Sequence, residues 1–219
     1  YKPNHHYQFP ALRGFHTTGS ALSSEGFAWV YRHVKQNVHL APGSGGTDVC
    51  AGFVGGNAML PVHAGQMQCI CLGVDAQSFD DAGRPLYGEV GELVIKKPMP
   101  SMPLYFWNDP NNERYLDSYF NVYPGIWRHG DWIKILPDGR SVIYGRSDAT
   151  IKRQGVRMGT AEIYAAVEAL DGVVDSLIVD MEWIGRPSML MLFVVLKENM
   201  ALTEELKEQI RSTIHTRVS

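Results

Sequence analysis

Four short patterns in the 219-residue chain combine residue types that can do chemistry. In Gly43-Ser44-Gly45-Gly46-Thr47-Asp48, glycines let the backbone approach a ligand, hydroxyls can donate to phosphate oxygens, and a carboxylate can hold a metal ion. No Gly-Lys-Ser/Thr closes the run, so it is not a P-loop. A plain turn after a strand accounts for the same residues. So does the Gly-Ser-Gly-Gly setting of some protease serines, with Ser44 as nucleophile and His33 or His39 and Asp48 as companions. In Trp127-Arg128-His129-Gly130-Asp131-Trp132, an aspartate stands at the mouth of an expected strand. Its two acceptor oxygens suit the neighbouring hydroxyls of a ribose, and equally suit local N–H groups in a turn. The last two patterns, Gly145-Arg146-Ser147-Asp148 and Gly155-Val156-Arg157-Met158-Gly159, place two arginines ahead of an expected helix. Guanidinium forks match phosphate oxygens and a helix N-terminus favours anions, while a polar linker with salt-bridged arginines explains the same residues.

These patterns need elements to hold them. Ser23 or Ser24 can cap a helix whose Phe27, Val30, Tyr31 and Val34 recur at helical spacing, and residues 38–40 read as a short buried strand leading into the glycine-rich turn. The rest of 11–56 reads as loop. Strands are expected at 68–74, 91–96, 132–136 and 141–144, with a turn at Asp80-Asp81-Ala82-Gly83 and a hairpin at Asp138-Gly139. The aromatic residues from Tyr105 to Trp127 read as packing between sheet and loops. Further on, Thr160 caps a helix ended by Gly172, strands follow at 173–179 and 189–196, and Thr203 opens a final helix with Glu204 and Glu205 at its positive end.

Composition narrows the function classes. With 23 acidic against 20 basic residues the net charge is −3 and no basic block occurs, which removes nucleic acid and anionic membrane as partners. The longest apolar run, 189–196, is far short of the roughly 20 residues that span a bilayer. Three cysteines, Cys50, Cys69 and Cys71, are too few for a disulfide scaffold, and Cys69 and Cys71 lack the second pair a zinc site needs, so the expected setting is a reducing compartment, the cytoplasm.

Taken in order, Thr18-Gly19-Ser20-Ala21, Thr47-Asp48, Gly91-Glu92-Leu93-Val94-Ile95, His129-Gly130-Asp131, Gly145-Arg146-Ser147-Asp148 and Gly155-Val156-Arg157 resemble the later core motifs of the adenylate-forming acyl-CoA ligases. Residues 44–56, 98–109 and 144–164 are more similar to the acetoacetate-activating branch than to the acetate-using one. The resemblance implies an α/β fold, α+β within this segment. Residues 1–146 would be the rear of a large AMP-binding domain, with a nucleotide-site segment at 1–56 and a small antiparallel sheet or barrel at 57–146. Residues 147–219 would be a truncated α+β lid with its hinge at Asp148. ATP, Mg2+, acetoacetate and coenzyme A are the implied ligands, and lipid and ketone-body metabolism the implied setting.

By the same resemblance, Gly19, Ser20 and Ala21 line the adenine pocket, Thr47 meets the α-phosphate and Asp48 lies near magnesium. Asp131 holds the ribose with help from Arg146, Arg157 lies near the phosphates, and Gly45, Gly46 and Gly155 line the nucleotide, acyl and pantetheine passages. Gly45 stands where acetate-using relatives carry a bulky aromatic, which implies room for a four-carbon 3-oxo acid. Ser44 to Asp48 depart from the usual Tyr-Gly-x-Thr-Glu by a lost tyrosine and a shorter acid. A phosphate loop is expected before Tyr1 and a catalytic lysine after Ser219, so the 219 residues are expected to be inactive alone. Another short-chain acyl-CoA ligase, or a non-catalytic nucleotide-binding module, would share most of these features.

Overall fold

Parallel pairing opens the chain: β1 (Gly14–Thr17) lies beside β2 (His39–Pro42), and α1 (Ser24–His33) makes the connection. The computed structural model describes residues 2–147, 151–153, 156–158, 160–183 and 186–218. Ser23 caps α1, its hydroxyl accepting from the Gly26 N–H at 3.1 Å. Phe27 and Val30 then turn inward onto Val38 and Leu40. The strand β1 falls in a stretch expected to be loop. Its side chains are mostly exposed and carry no apolar alternation, so only its pairing with β2 makes it a strand.

A hairpin of β3 (Ser44–Gly46) and β4 (Ala51–Gly55) follows, with β5 (Cys69–Ile70) beside β4. The strand expected at 68–74 shrinks to those two residues. The larger sheet then forms from β6 (Ala76–Phe79), β7 (Pro85–Leu86), β8 (Val90–Ile95), β9 (Trp127–Ile135) and β10 (Ser141–Arg146), ordered β10-β9-β8-β6-β7, with α2 (Glu113–Tyr119) inserted before β9. The expected turns are present. Gly83 donates to the Asp80 carbonyl at 3.0 Å, and Gly139, at φ 86°, closes the β9–β10 hairpin. Phe53, Leu93, Ile95, Trp127 and Ile133 form one core cluster. The aromatic packing is partly as expected: Tyr115, Tyr119 and Phe120 gather around Trp127, whereas Tyr105 and Trp107 stand exposed.

Residues 1–144 form one compact unit and 145–219 a second, so β10 carries the chain from one into the other. The second unit holds the small pair β11 (Ile151–Arg153) and β12 (Val156–Met158), then α3 (Thr160–Glu168), the hairpin of β13 (Val173–Trp183) and β14 (Arg186–Leu196), and α4 (Glu204–Val218). Ile163 and Val167 of α3 pack with Val173, Ile178, Leu206 and Ile210 into a core of their own. Thr203 caps α4 as expected, accepting from the Leu206 N–H at 3.3 Å. Among the described residues no helix is long and apolar enough to cross a membrane.

Candidate functional site

The strand β9 is broken where the chemistry sits. Glu92 of β8 pairs with Trp132 and Val94 pairs with Arg128, so His129, Gly130 and Asp131 together face the single residue Leu93. Two extra residues in one strand make a bulge, which bends the strand and re-aims its side chains. Gly130 permits it with φ 86°, a left-handed value that costs glycine little. Glu92 supplies what the ladder loses: its Oε1 accepts from the Gly130 N–H at 3.0 Å and its Oε2 pairs with Arg128 Nε at 3.0 Å. A carboxylate this buried (5% exposed) is tolerable only with such donors around it. Asp131 therefore stands in mid-strand rather than at a strand mouth, because β9 begins at Trp127, and the bulge does the presenting.

Two elements then meet at Asp131. Ser44 Oγ, from β3, donates to Asp131 Oδ2 at 3.1 Å, and His129 Nε2 lies 3.6 Å from the same oxygen. His129 Nε2 is also 3.0 Å from the Gly45 carbonyl, which can only accept, so that nitrogen carries a proton. Phe53 holds the imidazole edge-on, with centroids 4.7 Å apart. A Cβ added to Gly46 would sit 3.0 Å from His129 Cε1, and one added to Gly45 would sit 2.1 Å from the Ala51 carbonyl oxygen. These glycines thus have a packing reason beside any ligand. The space a Cβ at Gly45 would enter is filled by the backbone of β4.

Thr47 and Asp48 sit exposed on the turn between β3 and β4, closed by the Cys50 N–H donating to the Thr47 carbonyl at 3.1 Å. Tyr119 anchors this turn: its hydroxyl donates to Asp48 Oδ2 at 2.5 Å while its ring stacks on Trp127 with centroids 3.6 Å apart. Sequence reasoning missed α2 and with it Tyr119. The available signals were Asp109, whose carboxylate accepts from the Arg114 and Tyr115 N–H groups, and the i, i+4 spacing of Tyr115 and Tyr119. Glu92 and Ser44 were in quoted motifs, but nothing local revealed what they hold.

A cavity of about 460 Å³ opens beside Ser44 and Gly45, walled by His16, Thr18, His39, Val54 and Cys71 among others. His39 Nε2 lies 2.7 Å from Gln68 Oε1, and Gln68 is buried with its amide nitrogen donating to the Leu60 and Asn57 carbonyls. With His39 engaged by Gln68, Asp48 by Tyr119 and Ser44 donating to Asp131, the serine-hydrolase arrangement is not the one the side chains adopt. Burial pushes the Cys71 thiol pKa up, and the neighbouring Cys69 adds to the shift. Gly19, Ser20 and Ala21 follow β1 on an exposed bend before α1, with Gly19 at φ 96°. Arg146 ends β10, the strand beside β9. Arg157 lies in β12 opposite Lys152, in the second unit. Asp148 and Gly155 lie outside the described residues. The structure thus brings Ser44, Gly45 and Gly46 together with Asp131, and Thr47 and Asp48 onto the adjoining turn.

No family model matches the chain. Among curated proteins, acetoacetyl-CoA synthetase of Gallus gallus is 41% identical over all 219 residues, which cover 33% of that protein. The acetoacetyl-coenzyme A synthetase of Rhizobium meliloti is 42% identical over the same 219 residues, 34% of its length. The solved acetoacetyl-CoA synthetase from Streptomyces lividans superposes with a TM-score of 0.83 at 47% identity, over 94% of this chain and 31% of that one. A benzoate CoA ligase from Burkholderia xenovorans follows with a TM-score of 0.74 at 27% identity, over 95% of this chain and 40% of its own. The chain shares the fold of these CoA ligases. It spans about a third of the length of the curated relatives it matches.

Proposed function

We propose that the full-length protein is an acid–thiol ligase that activates acetoacetate. The substrate carboxylate attacks the α-phosphorus of ATP, releasing pyrophosphate and forming acetoacetyl-adenylate; the thiol of coenzyme A then displaces AMP to give acetoacetyl-CoA. The observation that carries this reading is the match to acetoacetyl-CoA synthetases along all 219 residues. The convergence of β3 and the β9 bulge on Asp131 is in keeping with it.

The first step brings two anions together, so the site must fix geometry and offset charge. Asp131 accepts the ribose hydroxyls, a task for which an acceptor-only carboxylate suits. Thr47, on the exposed turn, donates to the α-phosphate. Asp48 beside it holds Mg2+, which supplies positive charge against the phosphates; Tyr119 fixes the direction from which this shorter acid reaches. Gly19, Ser20 and Ala21 line the adenine pocket, Gly45 and Gly46 the passage beside the cavity, and Arg146 assists Asp131. Arg157 approaches the phosphates, Gly155 lines the pantetheine passage, and Asp148 is the hinge of residues 147–219, with 1–146 as the nucleotide-binding part. The cytoplasm, and lipid and ketone-body metabolism, are the proposed setting.

The test is acetoacetate-dependent ATP–pyrophosphate exchange and acetoacetyl-CoA formation by the full-length protein, run beside acetate, propionate and butyrate. Acetoacetate is expected to give the highest kcat/KM. A higher value for another acid would reassign the acyl substrate, and no exchange with any of them would favour a non-catalytic nucleotide-binding module.

A further inference from the structure

One donor, the Ser44 hydroxyl, reaches Asp131 Oδ2, and the His129 N–H beside it is donated to the Gly45 carbonyl. Ser44 Oγ and His129 Nε2 lie 3.1 and 3.6 Å from Asp131 Oδ2, and Ser44 is 87 residues away along the chain. The same His129 nitrogen faces the Gly45 carbonyl at 3.0 Å, so a single N–H stands between the glycine-rich strand β3 and the bulge that carries the aspartate. Every part of this arrangement is braced. Phe53 holds the ring edge-on, Gly46 leaves the space the ring edge fills, and Glu92 grips Gly130 between the two functional residues. The His129 and Asp131 side chains are only 7% and 11% exposed.

An aspartate on a surface loop samples several staggered rotamers, and a ligand that needs one of them must offset the entropy of freezing it. Contacts made during folding remove that cost from the binding step, which is how preorganised sites gain affinity and discrimination.

We infer that Ser44 and His129 are positioning residues: Ser44 holds the Asp131 carboxylate directly, through Oδ2, in the rotamer that receives a vicinal diol, and His129 holds Ser44 in place by donating to the Gly45 carbonyl next to it. The inference rests on the reading of Asp131 as the ribose acceptor. It assigns His129 no proton transfer and no contact with the reacting atoms. It also gives the His-Gly-Asp run a mechanism: the histidine orients, the glycine makes the bulge, and the aspartate binds.

The experiment compares binding of ATP with 2′,3′-dideoxy-ATP by the full-length protein, so that the diol preference is read as a ratio of dissociation constants. Asp131→Ala is expected to abolish the preference. Ser44→Ala, which removes the hydroxyl bonded to Oδ2, lowers it about fivefold, the size of one hydrogen bond, and His129→Ala lowers it about twofold to threefold, since its bond acts on Asp131 only through Gly45 and Ser44. The KM for ATP rises in both variants while that for acetoacetate stays put, and His129→Gln, whose amide nitrogen can donate to the Gly45 carbonyl, recovers most of the preference. If Asp131→Ala loses the preference while Ser44→Ala and His129→Ala keep the parental ratio, the positioning role is wrong. If Asp131→Ala itself keeps the parental ratio, the ribose reading fails and takes the positioning role with it. Should His129→Ala fail to fold, Ser44→Ala decides alone, since loss of a hydroxyl leaves the packing intact.

Discussion

In the first unit the strands around Asp131 are short and interrupted: β3 has three residues with a register shift after Ser44, and β9 carries two residues more than its partner. In the second unit β13 and β14 run eleven residues each, with register shifts only between Val173 and Asp175 and between Met181 and Trp183. One region is tied by side-chain hydrogen bonds between residues far apart in sequence, the other by an apolar seam in which α3 and α4 cover a face of a hairpin. Bulges and glycines weaken a sheet but let backbone and carboxylates turn toward a ligand, whereas a regular hairpin under helices is a scaffold. The contrast is one of construction: interrupted strands tied by side-chain hydrogen bonds around Asp131, and a regular hairpin under helices in the second unit.

Substitutions can break or sharpen that contrast. Asp131→Ala removes a carboxylate that a diol needs, and kcat/KM for ATP in the full-length protein is expected to fall about 10³-fold with little change in melting temperature. A large fall in melting temperature instead would mean that Asp131 is structural, and the first unit would look more like the second. Ile163→Ala should do the reverse. Ile163 is fully buried, and its truncation is expected to cost about 2–5 kcal/mol, read as faster amide exchange in α3, β13 and β14 and unchanged exchange in β3 and β4. Gly45→Ala pushes a Cβ against the Ala51 carbonyl, so a loss of about 1–3 kcal/mol together with weaker nucleotide binding is expected in denaturant titrations. Tyr119→Phe deletes one hydroxyl and keeps the stack on Trp127; about 1 kcal/mol of anchoring for the 47–50 turn is lost, and the Mg2+ concentration for half-maximal activity rises a few-fold. The smallest effect concerns reactivity. Burial raises the Cys71 pKa, which leaves less thiolate at neutral pH, so iodoacetamide is expected to label the exposed Cys50 first, as peptide mapping by mass spectrometry would show.

What the sequence disclosed follows from how local each feature is. The Ser23 and Thr203 caps and the Asp138-Gly139 hairpin depend on a few neighbouring residues, and all were legible. Asp131 was legible as a chemical candidate, but its bulge was not, since Glu92, 38 residues from Gly130, holds it. Its bond to Ser44 could not be read for the same reason. The strand β1 lacks apolar alternation and exists through its partner, and α2 starts from Asn112 in the left-handed region, at φ 57°, rather than from a hydroxyl cap. The strands β13 and β14 outrun the apolar runs 173–179 and 189–196 because antiparallel pairing continues through less regular residues at the hairpin end.

A crystal structure of the full-length protein with AMP bound tests the central claim most directly. The account predicts both ribose hydroxyls at hydrogen-bond distance, about 3 Å, from the Asp131 carboxylate, with Ser44 still on Oδ2 and His129 still on the Gly45 carbonyl. A ribose seated away from β9, with Asp131 closed on Ser44 as it is in the free chain, would contradict it.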